Sequence, residues 1–175
     1  MSIIIYNRFA PEEIVFVYPD DSLRGADLRN QKLREGNFSS LDITGALFNG
    51  SDLYESDFSG AIGDDPSFCE CVMEETQFSG ARLLRPKFRN LNGFLINFGK
   101  AIMPECDFTD AKAQNCNFSF TEMPGGILVR TKFGDSIFWQ TNIEQGDCTD
   151  ADFSKVTPSN WIKPNLRNAI LKGTI

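Results

Sequence analysis

The chain has no histidine among its 175 residues. That removes the imidazole of an acid–base catalyst, the Ser-His-Asp triad and the histidine-ligated zinc site. Basic charge is also short. There are 17 Lys and Arg against 24 Asp and Glu, a formal charge of −7, which is the wrong sign for gripping a phosphate backbone. No direct nucleic-acid binding is therefore expected. No apolar run approaches the roughly 18 residues that a membrane helix needs. The start of the chain, where Ile3, Ile4 and Ile5 give way to Asn7, Arg8 and Pro11, lacks the apolar core of a signal peptide. Cysteine is odd in number, five, and lacks the spacing of a secreted disulfide scaffold. These features predict a cytoplasmic chain that uses no cofactor or metal, does not enter membranes and is not an enzyme.

What the chain does have is enough apolar material for a core, 41% of residues, and a lopsided aromatic set of 16 Phe with 2 Trp and 3 Tyr. Large apolar residues recur every five positions: Leu23, Leu28, Leu33, Phe38, Ile43, Phe48, Leu53, Phe58 and onward to Phe153. Of the 27 such centres, 23 are Leu, Ile, Met or Phe, and Gly63, Gly93, Ala113 and Cys148 break the type without breaking the register. Neither a helix nor a flat strand has this period. Small residues dominate two positions before each centre, as in Ala26, Gly36, Ala46, Ser51, Ser56 and Ala61. Leu41, Leu91 and Ile96 are among the exceptions.

At twenty residues the match sharpens: Asn37-Phe38-Ser39, Asp57-Phe58-Ser59, Gln77-Phe78-Ser79, Asn97-Phe98-Gly99 and Asn117-Phe118-Ser119 are near copies. The reading is a four-sided coil with the large residue and the small residue before it both inward. Coils stacked at about the 4.8 Å strand spacing would align Phe38, Phe58, Phe78, Phe98 and Phe118 in one interior column, with Phe48, Phe68, Phe88 and Phe108 opposite.

Written as Gly25-Ala26-Asp27-Leu28-Arg29 and Gly45-Ala46-Leu47-Phe48-Asn49, the repeat resembles that of the pentapeptide-repeat protein family. The resemblance covers about residues 22–155, with Pro164-Asn165-Leu166 and Ala169-Ile170-Leu171 beyond them. It implies an all-β fold, a right-handed four-sided parallel β-helix or solenoid of about seven coils, its handedness taken from the family. Several members of the family protect or inhibit type II topoisomerases by mimicking DNA, and confer quinolone resistance.

The expected organisation is a non-repeat cap over residues 1–20, the repeat β-helix over 21–153, an irregular loop over 154–163 with Pro158 and Trp161, and terminal repeats over 164–175. Gly63-Asp64-Asp65-Pro66 reads as a turn that distorts one corner, and Gly93 beside Phe94 as a second irregular side.

Little catalytic chemistry stands out. In this register Cys71 points inward and Cys69 outward, so they cannot share a metal, while Gly93 to Lys100 fails the spacing of a phosphate loop. The outer surface carries more information. Residues 1–110 hold 18 acidic and 10 basic side chains, and Glu35, Glu55 and Glu75 recur at one corner, a like-charge ladder that Arg34, Lys32 or solvent must offset. The charge per coil is about half that of B-DNA, which carries about one charge per 1.7 Å. Later coils become apolar outside. Phe120, Ile137 and Trp139 fall near one another, with Ile127 and Val129 elsewhere, and such residues meet either Trp161 and its loop or a partner. Glu35, Glu55, Glu75, Phe120, Ile137 and Trp139 are thus the candidate partner-binding residues. The expected function is a non-catalytic scaffold or protein-interaction module whose partner is an unidentified protein, with self-association through the outer apolar residues as a further use. The alternative is an acidic DNA mimic acting on a type II topoisomerase such as gyrase.

Overall fold

Five residues make one straight side of a coil. In Gly36-Asn37-Phe38-Ser39-Ser40, Gly36 and Phe38 are buried and Ser40 turns the corner with a φ of 59°. The corner position keeps this left-handed backbone mostly without glycine: Asn30, Glu35, Glu55, Glu75, Leu95, Asn115 and Phe120 have φ between 52° and 59°. Such a backbone costs an L-residue roughly 1–2 kcal/mol. It is held by the neighbouring coil, whose carbonyl takes the corner amide, as Glu74 O does from the Glu55 N–H at 2.7 Å.

The computed structural model describes residues 2–175, and no α-helix occurs among them. Two strands, β1 (Ile3–Tyr6) and β2 (Ile14–Tyr18), form an antiparallel hairpin ahead of the coils. In the coils, pairing is parallel between residues twenty apart, as in Asn37 with Asp57, Asp57 with Gln77, Gln77 with Asn97 and Asn97 with Asn117. Where three consecutive residues align, short strands form: β3 (Ile62–Asp64) pairs β5 (Arg82–Leu84), and β4 (Val72–Glu74), β6 (Asn92–Phe94) and β7 (Lys112–Gln114) make a three-stranded sheet. The chain is a right-handed, four-sided parallel β-helix.

The four sides are named here by their inward centres. The first carries Leu28, Phe48, Phe68, Phe88 and Phe108, the second Leu33, Leu53, Met73, Gly93 and Ala113, the third Phe38, Phe58, Phe78, Phe98 and Phe118, and the fourth Leu23, Ile43, Gly63, Leu83 and Met103. On the third side, successive Phe rings stack with centroids 4.7 to 5.2 Å apart. Rings of the first and third sides meet edge to face, as Phe48 and Phe58 do at 5.3 Å and 89°. Both geometries are favoured by the ring quadrupole. Inward hydroxyls are not orphaned, because Ser51, Ser56, Thr76, Thr121, Thr131 and Thr141 each donate to a carbonyl of the previous coil at 2.7 or 2.8 Å.

Neither glycine-marked irregularity materialises. At Gly63 the register holds, with the Ile43 N–H bonded to Ile62 O at 2.9 Å and the Asp65 N–H to Leu84 O at 2.8 Å. A Cβ there would meet Thr44 N at 2.8 Å, so glycine serves a close approach of two coils. Gly93 lies within β6, and a Cβ on it would come within 2.6 Å of Ile96 Cδ1 and 3.3 Å of Leu91 Cδ2. The large residues at two normally small positions, Leu91 and Ile96, fill the volume that Gly93 leaves. Exceptions that looked independent in the sequence are one packing exchange.

The hairpin closes the N-terminal end. Ile5 is buried against the first coil, with Ile3, Val15, Phe16 and Tyr18 partly buried beside it. Asn37 donates its amide to Tyr6 O at 2.8 Å and Arg8 donates its own to Glu35 O at 2.7 Å, so the hairpin occupies a strand edge that would otherwise stand bare.

At the other end the irregular segment is shorter than residues 154–163. The Phe118 N–H bonds Ile137 O, nineteen residues on, whereas the Phe138 N–H bonds Asn160 O and the Gln140 N–H bonds Ile162 O, twenty-two on. Three residues are therefore inserted between Phe153 and Asn160, and the coil then resumes. Trp161 becomes a centre, its ring 5.2 Å from that of Phe138 and 4.9 Å from that of Phe153. A proline-bearing stretch with no residue at the expected register hid this from the sequence.

Truncating one stacked ring tests the architecture. Phe78→Ala is expected to lower unfolding free energy by about 3–5 kcal/mol in urea denaturation, while Ser79→Asp, on the outer face, changes it by about 0.5 kcal/mol or less.

Candidate partner-binding surfaces

The coil directs nucleophilic groups into its interior. Cys71, Cys106, Cys116 and Cys148 are buried and Cys69 is half-exposed. Burial pushes the thiols of Cys71 and Cys116 up to about 12 and that of Cys148 to about 11, and raises Cys106 as well. A thiol so raised is neither nucleophile nor ligand at neutral pH. Cys69 faces outward, as its register requires, and its sulfur accepts from the Ser67 hydroxyl at 3.5 Å. Depressions between outward side chains are shallow. The one formed by Glu122, Gln140, Asn142, Lys163 and Asn165 has a volume of about 340 Å³ and lies open to water, so it offers no screened environment for a reacting group.

Much of the acidity is paired along the tube. Arg85 grips Asp65 with two bonds of 2.9 and 2.8 Å, and Arg130 grips Asp110 with two of 2.6 and 2.7 Å, each pair bridging adjacent coils. Arg24 reaches Asp42 at 2.5 Å, and Arg89 pairs with Asp107. The Arg85 guanidinium holds the Asp65 carboxyl below its ordinary range, and Arg130 does the same for Asp110. At Asp42 the hydroxyl and amide of Thr44 are the main cause of a lowered value, and at Asp152 those of Ser154. The local motif is a carboxylate just before the centre accepting from the residue just after it.

The structure divides the glutamate ladder. Glu35, Glu55 and Glu75 do share one corner column, but Glu35 accepts a hydrogen bond from Asn7 Nδ2 at 2.8 Å and the Glu55 carbonyl accepts one from Arg8 Nη1 at 3.0 Å. The hairpin thus covers one end of the ladder. Arg34 does not offset it by pairing; its guanidinium binds Asp52 at 3.0 Å and lies over the Tyr54 ring, 4.1 Å from its centroid. Beside Glu75 the same side carries Val72, Phe94 and Leu95, 47%, 40% and 43% exposed. Sequence reasoning missed these three. The signal was present, since all occupy outward positions of the same register, but reading Gly93 as a defect drew attention away from its neighbours.

Phe120, Ile137 and Trp139 are brought together on the third side near the far end. The Phe120 and Trp139 rings lie 5.8 Å apart at 33°, and the Phe120 N–H bonds Trp139 O at 2.7 Å. Trp139 is 46% exposed and Phe120 42%. Trp161 does not cover them, because it is drawn into the core column over Phe138. Ile127 belongs to the first side, paired with Asp107.

Two outcomes follow from this geometry. Under native conditions at pH 8, a thiol reagent is expected to modify Cys69 within minutes and the other four cysteines only on unfolding, as read by mass spectrometry. The lowered pKa values of Asp42, Asp65, Asp110 and Asp152 mean that the folded state favours the ionised forms. The stability they contribute is present above the unfolded carboxylate value of about 3.9 and lost as pH falls through the lower folded values. The melting temperature is therefore expected to decline between about pH 5 and pH 2, with Arg85→Gln and Arg130→Gln together reducing that decline.

The pentapeptide-repeat family profile matches eight copies, over residues 22–61 and 96–128. No curated protein matches the chain in sequence. Among solved structures, trypsin-treated QnrB1, a plasmid-mediated fluoroquinolone resistance protein, is similar with a TM-score of 0.65 and 17% identity, over 89% of this chain and 84% of that one. HetL, a pentapeptide repeat protein involved in heterocyst differentiation regulation from the cyanobacterium Nostoc, aligns over 90% of this chain and 87% of its own with 14% identity and a TM-score of 0.28. The five-residue register, the four-sided parallel coil and the family profile agree, and the chain carries pentapeptide repeats on a right-handed β-helix.

Proposed function

We propose that the chain is a non-catalytic scaffold that engages a protein partner through its outer side chains, and that it does so in a reducing compartment such as the cytoplasm. The observation that carries this reading is the aromatic edge. Two large rings, Phe120 and Trp139, lie tilted against each other outside the tube beside the partly exposed Ile137, while the core is already filled with Phe. Exposed aromatics that already lie against each other are typical anchors of protein interfaces, because little side-chain entropy is lost on contact. Five unpaired cysteines support the compartment. Replacing Phe120 and Trp139 together by Ser is expected to abolish co-purification of the partner, or self-association detected by light scattering, without changing the melting temperature. Retention of both would refute the aromatic contact.

A second reading, an acidic DNA mimic that regulates or protects a type II topoisomerase, draws support from the fold likeness to QnrB1 and from the acidic early coils. Against it, Asp27, Asp42, Asp52, Asp65 and Asp107 are each neutralised by an arginine, which is why the net charge density of these coils is only about half that of the duplex. A gyrase supercoiling assay with the protein in micromolar excess decides it: a mimic inhibits the reaction or protects it from a quinolone, and an unchanged reaction removes this reading.

A further inference from the structure

The second side changes character midway along the tube. Its outward positions run from Asp52 and Tyr54 through Val72 and Glu74 on β4 to Asn92 and Phe94 on β6, then Lys112 and Gln114 on β7. Its corner column runs Glu55, Glu75, Leu95, Asn115. Glu74 lies directly beside Phe94, and the Glu75 N–H bonds Phe94 O at 3.0 Å, so the apolar residues follow the glutamates one coil later. Val72, Phe94 and Leu95 are all at least 40% exposed, with Phe94 and Leu95 adjacent in the chain and Val72 diagonal to them across the Asn92 and Glu74 positions, apolar surface that water solvates poorly.

The charge next to the patch is partly free: the Arg8 guanidinium reaches only the Glu55 carbonyl, at 3.0 Å. Glu55, Glu74 and Glu75 form no ion pair among the described residues, and the nearby Arg34 is committed to Asp52 and the Tyr54 ring. Backbone groups of β4, β6 and β7 already bond to the coils on either side, so no strand can add here and recognition must go through side chains.

We propose that this patch docks an extended peptide segment in which lysines or arginines are followed by large apolar residues, the basic part over Glu55, Glu74 and Glu75 and the apolar part over Phe94 and Leu95. Two coil steps of about 4.8 Å separate Glu55 from Leu95, a distance that three or four extended residues span. Lys112, one strand beyond Asn92, repels a second basic block and so sets the direction in which the segment lies. The proposal rests on the interaction-module reading but assigns a surface distinct from the Phe120–Trp139 edge, which belongs to another side.

The test uses the full chain and a fluorescein-labelled peptide of three lysines followed by Leu-Phe-Leu, with binding followed by fluorescence anisotropy. Wild-type protein and the Phe120→Ser/Trp139→Ser variant are expected to bind equally. Phe94→Ser with Leu95→Ser is expected to weaken binding about tenfold or more, as is typical for loss of a central apolar anchor, at unchanged melting temperature. Glu55→Gln, Glu74→Gln and Glu75→Gln together should weaken it and flatten its dependence on salt. Amide hydrogen exchange should show peptide-induced protection confined to residues 72–75 and 92–95, a readout that needs no variant. Equal binding to the Phe94/Leu95 variant, equal binding of a peptide with its apolar residues replaced by Ser, or no binding to wild type overturns the proposal. Loss of binding only in the Phe120/Trp139 variant also overturns it, while leaving the aromatic edge as the contact.

Discussion

The stacking of one coil on the next is the constraint on which the rest depends. A parallel ladder bonds each side to its counterpart twenty residues on, and that ladder places Phe58 over Phe38 and Phe78 over Phe58 at the spacing of strands. Aromatic stacking and backbone bonding therefore share one repeat distance, and each enforces the other. The corners show what this coupling can hold. A left-handed backbone at Glu55 or Leu95 is unfavourable in isolation, and persists because the corner amide is bonded across to the adjacent coil.

Because inward positions are so strictly used, the tube tolerates exceptions only as exchanges of volume. Gly93 is accepted since Leu91 and Ile96 lean into its place. The aromatic column moves as well: after Phe108 the first side carries Leu128 and Cys148, and the second side takes up Phe133 and Phe153, which stack at 4.7 Å. The quantity conserved along the axis is the filled cross-section of the tube, and no single side must supply it.

Outward residues escape that constraint, and this is where the repeat leaves the side chains free to vary. Arginine–aspartate pairs fasten coil to coil at Asp65–Arg85 and Asp110–Arg130, yet such exposed pairs contribute little stability individually. Their greater effect is to neutralise charge at particular places, leaving Glu55, Glu74 and Glu75 as a local unpaired group beside Phe94. The hairpin has a comparable double role. It shields the first coil through Ile5 and also takes Glu35 out of the acidic column through Asn7.

The amino-acid order alone determined that the chain is a square tube. A period of five with large and small residues two apart can bury both only on a straight side that turns every fifth residue, and the twenty-residue copies number the sides. It likewise settled which way each side chain points, so Cys71, Phe78 and Trp139 were legible from register. Tertiary structure decided what those side chains meet. Whether Trp161 would cover Phe120 and Trp139 or complete the core depended on a three-residue insertion that restores the coil beyond Phe153, and no local pattern encodes that realignment. The fate of the glutamate column depended on where a non-repeating hairpin lands, and the prominence of Phe94 on Gly93 being packed and not strained. Register is a property of neighbours along the chain, whereas contact between outer residues depends on distances across coils and caps, which exist only once the tube has closed.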